Sequence, residues 1–322
     1  MAHQLTAPER ERLCLLHAQG HNPSEIARRL GRHKSTVSRE LRRNGAGEHY
    51  SALAAQELAQ ARRRQRPLAR KIERPDISEY VRNGLTRYWS PEQIAGRLRR
   101  QFPDQPRRRV SHQTIYAWIA RDRYREHWQK FLRRGGGKRP GPEKRGKIVA
   151  PVGVADRPAA ANARARLGDW EGDTVVSAGR KGGVLTPVDR CARYLLVEKV
   201  LDLKARTATA AVRASLGGLP PQLRRTVTLD RGKEFADHET FARALGVDVY
   251  FADPYAPWQR GTAENTNGLL RQFFPKGTDF RAVRRPQLQQ AQALLNGRPR
   301  KCLGYRTPAE VLSERLGVAF EI

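Results

Sequence analysis

Asp173, Asp230 and Glu264 are the residues of this sequence best placed to do chemistry. Asp173 falls inside the apolar-rich run Trp170–Val176 (WEGDTVV), which reads as a strand, a setting that disfavours aspartate. Asp230 directly follows the short apolar strand Thr226–Leu229, and strand ends are where α/β sheets place functional groups. Glu264 lies near the start of a helix expected at about 262–273. Each acid alone has a plainer reading: Asp173 facing solvent, Asp230 capping a turn, Glu264 countering a helix dipole. Together they form an all-oxygen donor set of the kind hard divalent cations prefer. A pair of such ions can activate a nucleophile and stabilise the leaving oxygen in an in-line phosphoryl displacement. The expected cofactor is therefore Mg²⁺, with Mn²⁺ able to substitute, two ions per site, held by these three acids.

The stretch DPYAPWQRGTAENTNGLLRQFFPKGTDF, residues 253–280, surrounds Glu264 with Trp258, Gln259, Arg260, Asn265, Asn267, Arg271 and Lys276. Trp258, Gln259 and Arg260 are expected to shape the approach to the site, and Arg271 and Lys276 to hold phosphates leading into it. The elements that must position the acids read as three consecutive strands (Trp170–Val176, Val184–Val188, Tyr194–Val200), followed by alternating helix and strand. A helix over 206–216, the strand before Asp230, a helix over 238–245, a strand over 247–251 and helices at 262–273 and 285–296 make residues 151–322 an α/β domain with a mixed sheet.

The N-terminal part is helical and basic. The chain has 322 residues with 62 Lys and Arg against 32 Asp and Glu, a net charge of +30. Residues 1–150 carry 35 basic and 14 acidic side chains, so most of the excess sits in one half. Such an imbalance points to a polyanion, with double-stranded DNA the default partner. Residues 1–50 read as three short helices. Asn22-Pro23-Ser24-Glu25 opens the second with a cap and a proline at its first position, Gly31 turns the chain, and a third helix runs from about Lys34 to Arg43. Val37 and Leu41 form its inner face, while Lys34, Ser35, Thr36, Ser38, Arg39, Arg42 and Arg43 are offered to phosphates and base edges, a helix-turn-helix arrangement. Ser90-Pro91-Glu92-Gln93 repeats the cap-proline pattern, and Ile94, Ala95, Arg97 and Leu98 match Ile26, Ala27, Arg29 and Leu30. A second unit over 87–132 is thus expected, presenting His112, Gln113, Thr114 and Tyr116. Its outer face is less basic, which leaves open a packing or dimerisation role. Residues 51–86 read as a helical and basic linker, and 133–150 as a Gly/Pro-rich basic linker.

Other classes fall away. No run approaches the roughly 18 apolar residues of a membrane helix, and the polar start MAHQLTAPERERL does not read as a signal peptide. Cys14, Cys191 and Cys302 are scattered, consistent with reduced cytoplasmic thiols and not with a zinc finger. The expected location is the cytoplasm, at the DNA.

GDWEGDTVV, TLDRGKEF and the 253–280 stretch resemble the signature blocks of bacterial insertion-sequence DDE transposases of the insertion-sequence-thirty class. The 33 residues between Asp230 and Glu264 match the spacing of that class, and LLNGRPRKCLGYRTPAEVL resembles the end of the same core. The resemblance implies an RNase-H-like, retroviral-integrase-type fold and a catalytic triad of Asp173, Asp230 and Glu264. It also implies binding of terminal inverted repeats, hydrolysis at the element's ends, attack of the freed 3′-OH on target DNA, and a homodimer or higher assembly to join two ends. Arg231 departs from the Asn usual after the second acid. A DNA-binding regulator with an inactive core and a nuclease that cuts without joining are the competing readings.

Overall fold

The computed structural model describes residues 4–44, 50–64, 71–133, 151–254 and 256–317, in two compact units divided after Arg70. The linker expected over 133–150 lies, from residue 134 on, outside the described residues.

In the first unit, α1 (Ala7–Ala18), α2 (Pro23–Leu30), α3 (Lys34–Asn44) and α4 (Ala52–Arg64) bury Leu13, Ile26, Val37, Tyr50 and Ala55. The sequence dictates the starts. Thr6 and Glu9 form a capping box, and the Asn22 side chain accepts from the backbone of Ser24 and Glu25. Gly31, at φ 63°, closes α2 in the left-handed conformation that frees the turn into α3. Arg10, 4% exposed, donates to Glu40 at 2.6 Å and to Gln56 at 2.6 Å, tying α1 to α3 and α4. This corrects the linker reading of 51–86: Ala55 packs into the first core, so α4 is part of this unit.

In the second unit, α5 (Pro75–Thr86), α6 (Pro91–Gln101), α7 (His112–Arg121) and α8 (Arg125–Gln129) enclose Ile77, Val81, Leu85, Ile94, Leu98, Ile115, Ile119 and Trp128. The rest of the presumed linker, α5, thus belongs to the second helical bundle. That bundle packs on the sheet domain through α6 and its surroundings. Arg97 pairs with Glu310 and donates to the Tyr305 carbonyl, Lys301 meets Glu92 at 2.8 Å, and the rings of Tyr88 and Phe273 lie 4.8 Å apart.

After α9 (Ala159–Asn162), the chain forms β1 (Asp169–Glu171), β2 (Thr174–Val176), β3 (Gly183–Leu185), β4 (Val188–Asp189), β5 (Glu198–Val200), α10 (Ala205–Leu216), β6 (Thr226–Leu229), α11 (His238–Leu245), β7 (Asp248–Phe251), α12 (Gly261–Leu270), α13 (Arg285–Asn296) and α14 (Pro308–Leu316). One sheet has the order β4-β1-β6-β7, with β1, β6 and β7 parallel and β4 antiparallel; β2-β3-β5 form an antiparallel second sheet. The domain is a mixed-sheet α/β fold of the RNase-H-like kind. On one face α10 and α11 cover Trp170, Val227, Leu229 and Phe251; on the other α12 and α13 cover Val175, Val184, Val188 and Leu195.

The strand expected over 170–176 breaks at Gly172 and Asp173. Antiparallel pairing with the β3–β4 stretch runs through both pieces, Glu171 opposite Val188 and Thr174 opposite Leu185, with the Thr186 N–H donating to the Asp173 carbonyl; the parallel pairing with β6 ends at Gly172, whose N–H donates to Thr228. The loss of β6 as a neighbour leaves Asp173 where the two sheets part, and not within a strand.

Glu171, fully buried, fixes that junction to α12. One carboxylate oxygen pairs with buried Arg190; the other accepts the N–H groups of Thr262 and Ala263 at 2.8 and 2.9 Å. Glu171→Ala would leave a buried guanidinium and a helix N-terminus unpaired, so a loss of about 3–5 kcal/mol is expected in urea unfolding. A loss below about 1 kcal/mol would show that the anchor is dispensable. At the bundle contact, a Cβ on Gly96 would come within 2.2 Å of the Tyr305 ring. Gly96→Ala should therefore cost about 1–3 kcal/mol, although alanine favours helices elsewhere. An unchanged unfolding midpoint would mean that the ring swings aside freely.

Candidate active site

Two of the three acids meet on one cation. Asp173 comes from the β1–β2 break and Asp230 from the end of β6. Arg260, at the start of α12, places Nη1 3.4 Å from Asp173 and Nη2 3.4 Å from Asp230. Local order holds each acid in place. Asp173 Oδ1 accepts the Thr174 N–H, its Oδ2 accepts from Asn267 at 2.8 Å, and Asn267 in turn accepts from the Thr186 hydroxyl. Asp230 Oδ1 accepts the Gly232 N–H at 3.1 Å, and a Cβ at Gly232 would fall 2.9 Å from that oxygen. Glu264, on the first turn of α12, is exposed, and its charge adds to the field on Arg260.

The electrostatics are those of a site short of positive charge. Burial pushes the Asp173 carboxyl up to about 6, with the like charge of Asp230 adding to the rise and Arg260 opposing it. Burial works against the charge on Arg260, but Asp173 and Asp230 outweigh it and hold its proton more tightly than usual. Even so, Arg260 is 8% exposed with no hydrogen bond at Nε or Nη1. A buried, under-bonded guanidinium between two carboxylates is a loose counter-ion. Among the described residues no three His, Cys, Asp or Glu side chains converge as metal ligands in this arrangement. The donor set nonetheless fits a hard divalent ion: it is all oxygen, and its two inner members already face one shared positive charge.

The expected DNA-contacting residues fall into distinct groups. On α3, Lys34, Arg39, Arg42 and Arg43 are exposed and Ser35, Thr36 and Ser38 half-buried, with Arg39 donating to Ser35 at 3.0 Å. On α7, His112, Gln113 and Tyr116 are exposed, and Thr114 is half-buried beside Ser111. Trp258 is 75% exposed and Lys276 is exposed. Arg260 and Arg271 depart from expectation. Arg260 engages Asp173 and Asp230. Arg271, just past the end of α12, donates to the carbonyls of Val176, Phe274 and Pro275, so it braces the chain that follows. Arg231, the residue that departs from the usual Asn, donates to the Ala252 carbonyl and points its other end towards Asp253.

Sequence reading passed over Glu171 and Arg190, and gave Asn267 no task. A glutamate two residues before Asp173, inside an otherwise apolar run, was the available signal; Arg190 offered none.

Comparison with known proteins places both halves of the chain in known families. Residues 2–44 match the family described as a helix-turn-helix domain, and residues 163–257 the family described as an integrase core domain. The transposase for insertion sequence element IS1086 of Cupriavidus metallidurans is 41% identical over 97% of this chain and 95% of its own. The transposase InsI for IS30A of Escherichia coli is 37% identical over 98% of this chain and 84% of its own. The transposase for IS4351 of Bacteroides fragilis is 36% identical over 96% and 95%. Among solved structures, the catalytic core domain of BIV integrase covers 46% of this chain and 95% of its own at 18% identity, with a TM-score of 0.37. With identity running through both the helical half and the sheet domain, the chain belongs to the family of bacterial insertion-sequence transposases typified by IS30.

Proposed function

We propose that this protein is an active DNA transposase, which binds the terminal inverted repeats of its element, cleaves at the element's ends and joins the freed 3′-OH to target DNA. The observation that carries the reading is the convergence of Asp173 and Asp230 on Arg260, with Glu264 on the helix that Arg260 opens. Asp173, Asp230 and Glu264 would hold the divalent ions, Mg²⁺ or Mn²⁺. Bound there, such ions supply charge stabilisation at the phosphoryl centre and a deprotonated nucleophile. The protein's own groups do the rest. Asn267 orients the Asp173 carboxylate, Glu171 fixes the first turn of α12 against β1, and Arg260 keeps the two inner acids together. The exposed basic face of α3 is assigned to the inverted repeat, with α7 as a second reader. Two ends must be held together, so a homodimer or higher assembly is the working form. No helix among the described residues is long and apolar enough to cross a membrane, which suits a protein acting on chromosomal DNA in the cytoplasm.

The rival reading, a DNA-binding regulator with an inactive core, draws on Arg260 sitting where a cation would be needed. Strand-joining assays on end-bearing duplexes separate the two. Asp173→Asn, Asp230→Asn and Glu264→Gln should each lower Mg²⁺-dependent joining by at least about 10³-fold, as loss of a principal electrostatic group does, while leaving duplex affinity within about threefold. Wild-type joining in all three variants would end this assignment, and tight end binding with no cleavage in any divalent ion would favour the regulator. Duplex affinity should also fall steeply with salt, with a log–log slope of about 0.9 per phosphate contact. A flat response would remove the basic helices from DNA binding.

A further inference from the structure

Helix α12 has a second working face. Glu264 and Asn267 look to the acids, while Gly261, Thr262, Asn265 and Thr266 line a cavity of about 230 Å³ on the other side. Its remaining walls include Arg164, Arg193 and Arg300, and no carboxylate lines it. None of these three arginines forms an ion pair among the described residues. Arg193 donates from Nη1 to the Thr262 hydroxyl at 2.5 Å, but its buried Nε has no partner. Arg300 is 7% exposed; one Nη donates to the Leu295 carbonyl, and its Nε is likewise unpartnered. Burial, with repulsion from Arg193 and Arg133, pulls the Arg300 guanidinium down to about 10. Arg164 and Arg193 also hold left-handed backbones, φ 56° and 61°, a conformation that disfavours non-glycine residues.

Buried guanidinium groups are ordinarily paired with carboxylates, because desolvating an uncompensated charge is expensive. Arg300 is the buried one of the three, Arg193 is half-buried and Arg164 exposed, and no carboxylate among the described residues compensates any of them. Planar donors that converge on a cavity beside a helix N-terminus suit a phosphate, which accepts several charge-assisted hydrogen bonds at once. The backbone N–H groups of Thr262 and Ala263 are taken by Glu171, so the donors left for an anion are the guanidinium groups, the Thr262 hydroxyl and the Asn265 amide. We propose that the cavity walled by Arg164, Arg193 and Arg300 is a subsite for a backbone phosphodiester of the DNA strand whose neighbouring linkage lies at Asp173, Asp230 and Glu264. The assignment rests on the transposase reading for the identity of the strand. The subsite would set which linkage reaches the acids, since α12 carries both faces and fixes the offset between them.

The test is a charge-neutral linkage walk. Full-length protein is titrated, in EDTA, against a fluorescein-labelled duplex of the element's end and against copies carrying one methylphosphonate each. For the wild type, one or two positions near the cleavage point should weaken binding by about tenfold, the value of one charge-assisted hydrogen bond. Arg193→Gln and Arg164→Gln should weaken the unmodified duplex by a similar factor, lower the salt slope by about 0.9 per lost contact, and remove the further penalty at that linkage. Arg300→Gln should behave alike if its circular dichroism matches the wild type; if it unfolds, the other two variants decide. Additive losses at every linkage, or an unchanged salt slope in Arg193→Gln and Arg164→Gln, would overturn the subsite. The assay needs no metal and no chemistry. If Asp173→Asn still joins strands while the coupling holds, the catalytic assignment fails and the subsite stands; if Asp173→Asn loses joining and no coupling is found, the subsite fails and the catalytic assignment stands.

Discussion

The architecture of the sheet domain turns on one buried carboxylate. Glu171 is fully buried, and a lone charge there would cost several kcal/mol. It is tolerated because Arg190 takes one oxygen and the first N–H groups of α12 take the other. Those partners come from distant parts of the chain, so a single group locks the β4 end, β1 and α12 into one register. Asp173 lies two residues beyond Glu171, and Arg260 and Glu264 flank the N–H groups it holds. The geometry of the acids is therefore inherited from a residue that does not belong to the site.

Charge scarcity explains much of the rest. In a chain with nearly twice as many basic as acidic groups, carboxylates are few, and several are committed to structural pairings. Glu40 gathers Arg10, Asn44 and Tyr50 in the first unit, Glu310 gathers Arg97 at the bundle contact, and Glu171 gathers Arg190. Arg260 shares Asp173 and Asp230 at 3.4 Å to each, a weaker pairing than Arg10–Glu40 at 2.6 Å. The arginines of the cavity behind α12 receive no acid. Unpaired positive charge thus lines a hollow beside the candidate active site, as it does the exposed face of α3.

How much was legible in the sequence depended on whether the signal was local. Caps and prolines announced α2, α6 and α7 to within a residue, because N-terminal hydrogen bonding is set by side chains three positions apart. Asp230 and Glu264 were legible for the same reason, one closing an apolar strand and the other opening a helix. The break at Gly172 and Asp173 was not, since it arises where pairing with β6 stops while the β3–β4 partner continues, and a run of residues carries no mark of its neighbours. The role of 51–86 was misread because a polar, Ala- and Arg-rich helix resembles a tether until a partner is known. Ala55 had to find Leu13 before α4 counted as core. Arg260 was assigned to DNA on its type alone, whereas its burial and its two acid neighbours come from chain segments 30 and more residues away.

The arrangement also explains why the 253–280 stretch carries so much of the family resemblance. A helix that only had to cover the sheet would need apolar residues on one side, as α12 has at Ala263, Leu269 and Leu270. Here its remaining positions are divided between two polar tasks. Arg260, Glu264 and Asn267 serve the acids, and Thr262 and Asn265 face the basic cavity. Three constraints on ten residues leave little freedom for substitution, and Glu171 requires that the helix begin where it does. A helix so constrained transmits any shift of its first turn to both faces together. The spacing between an acid-bound linkage and a phosphate held behind the helix is then a property of the backbone of α12, which side-chain motion alone does not alter.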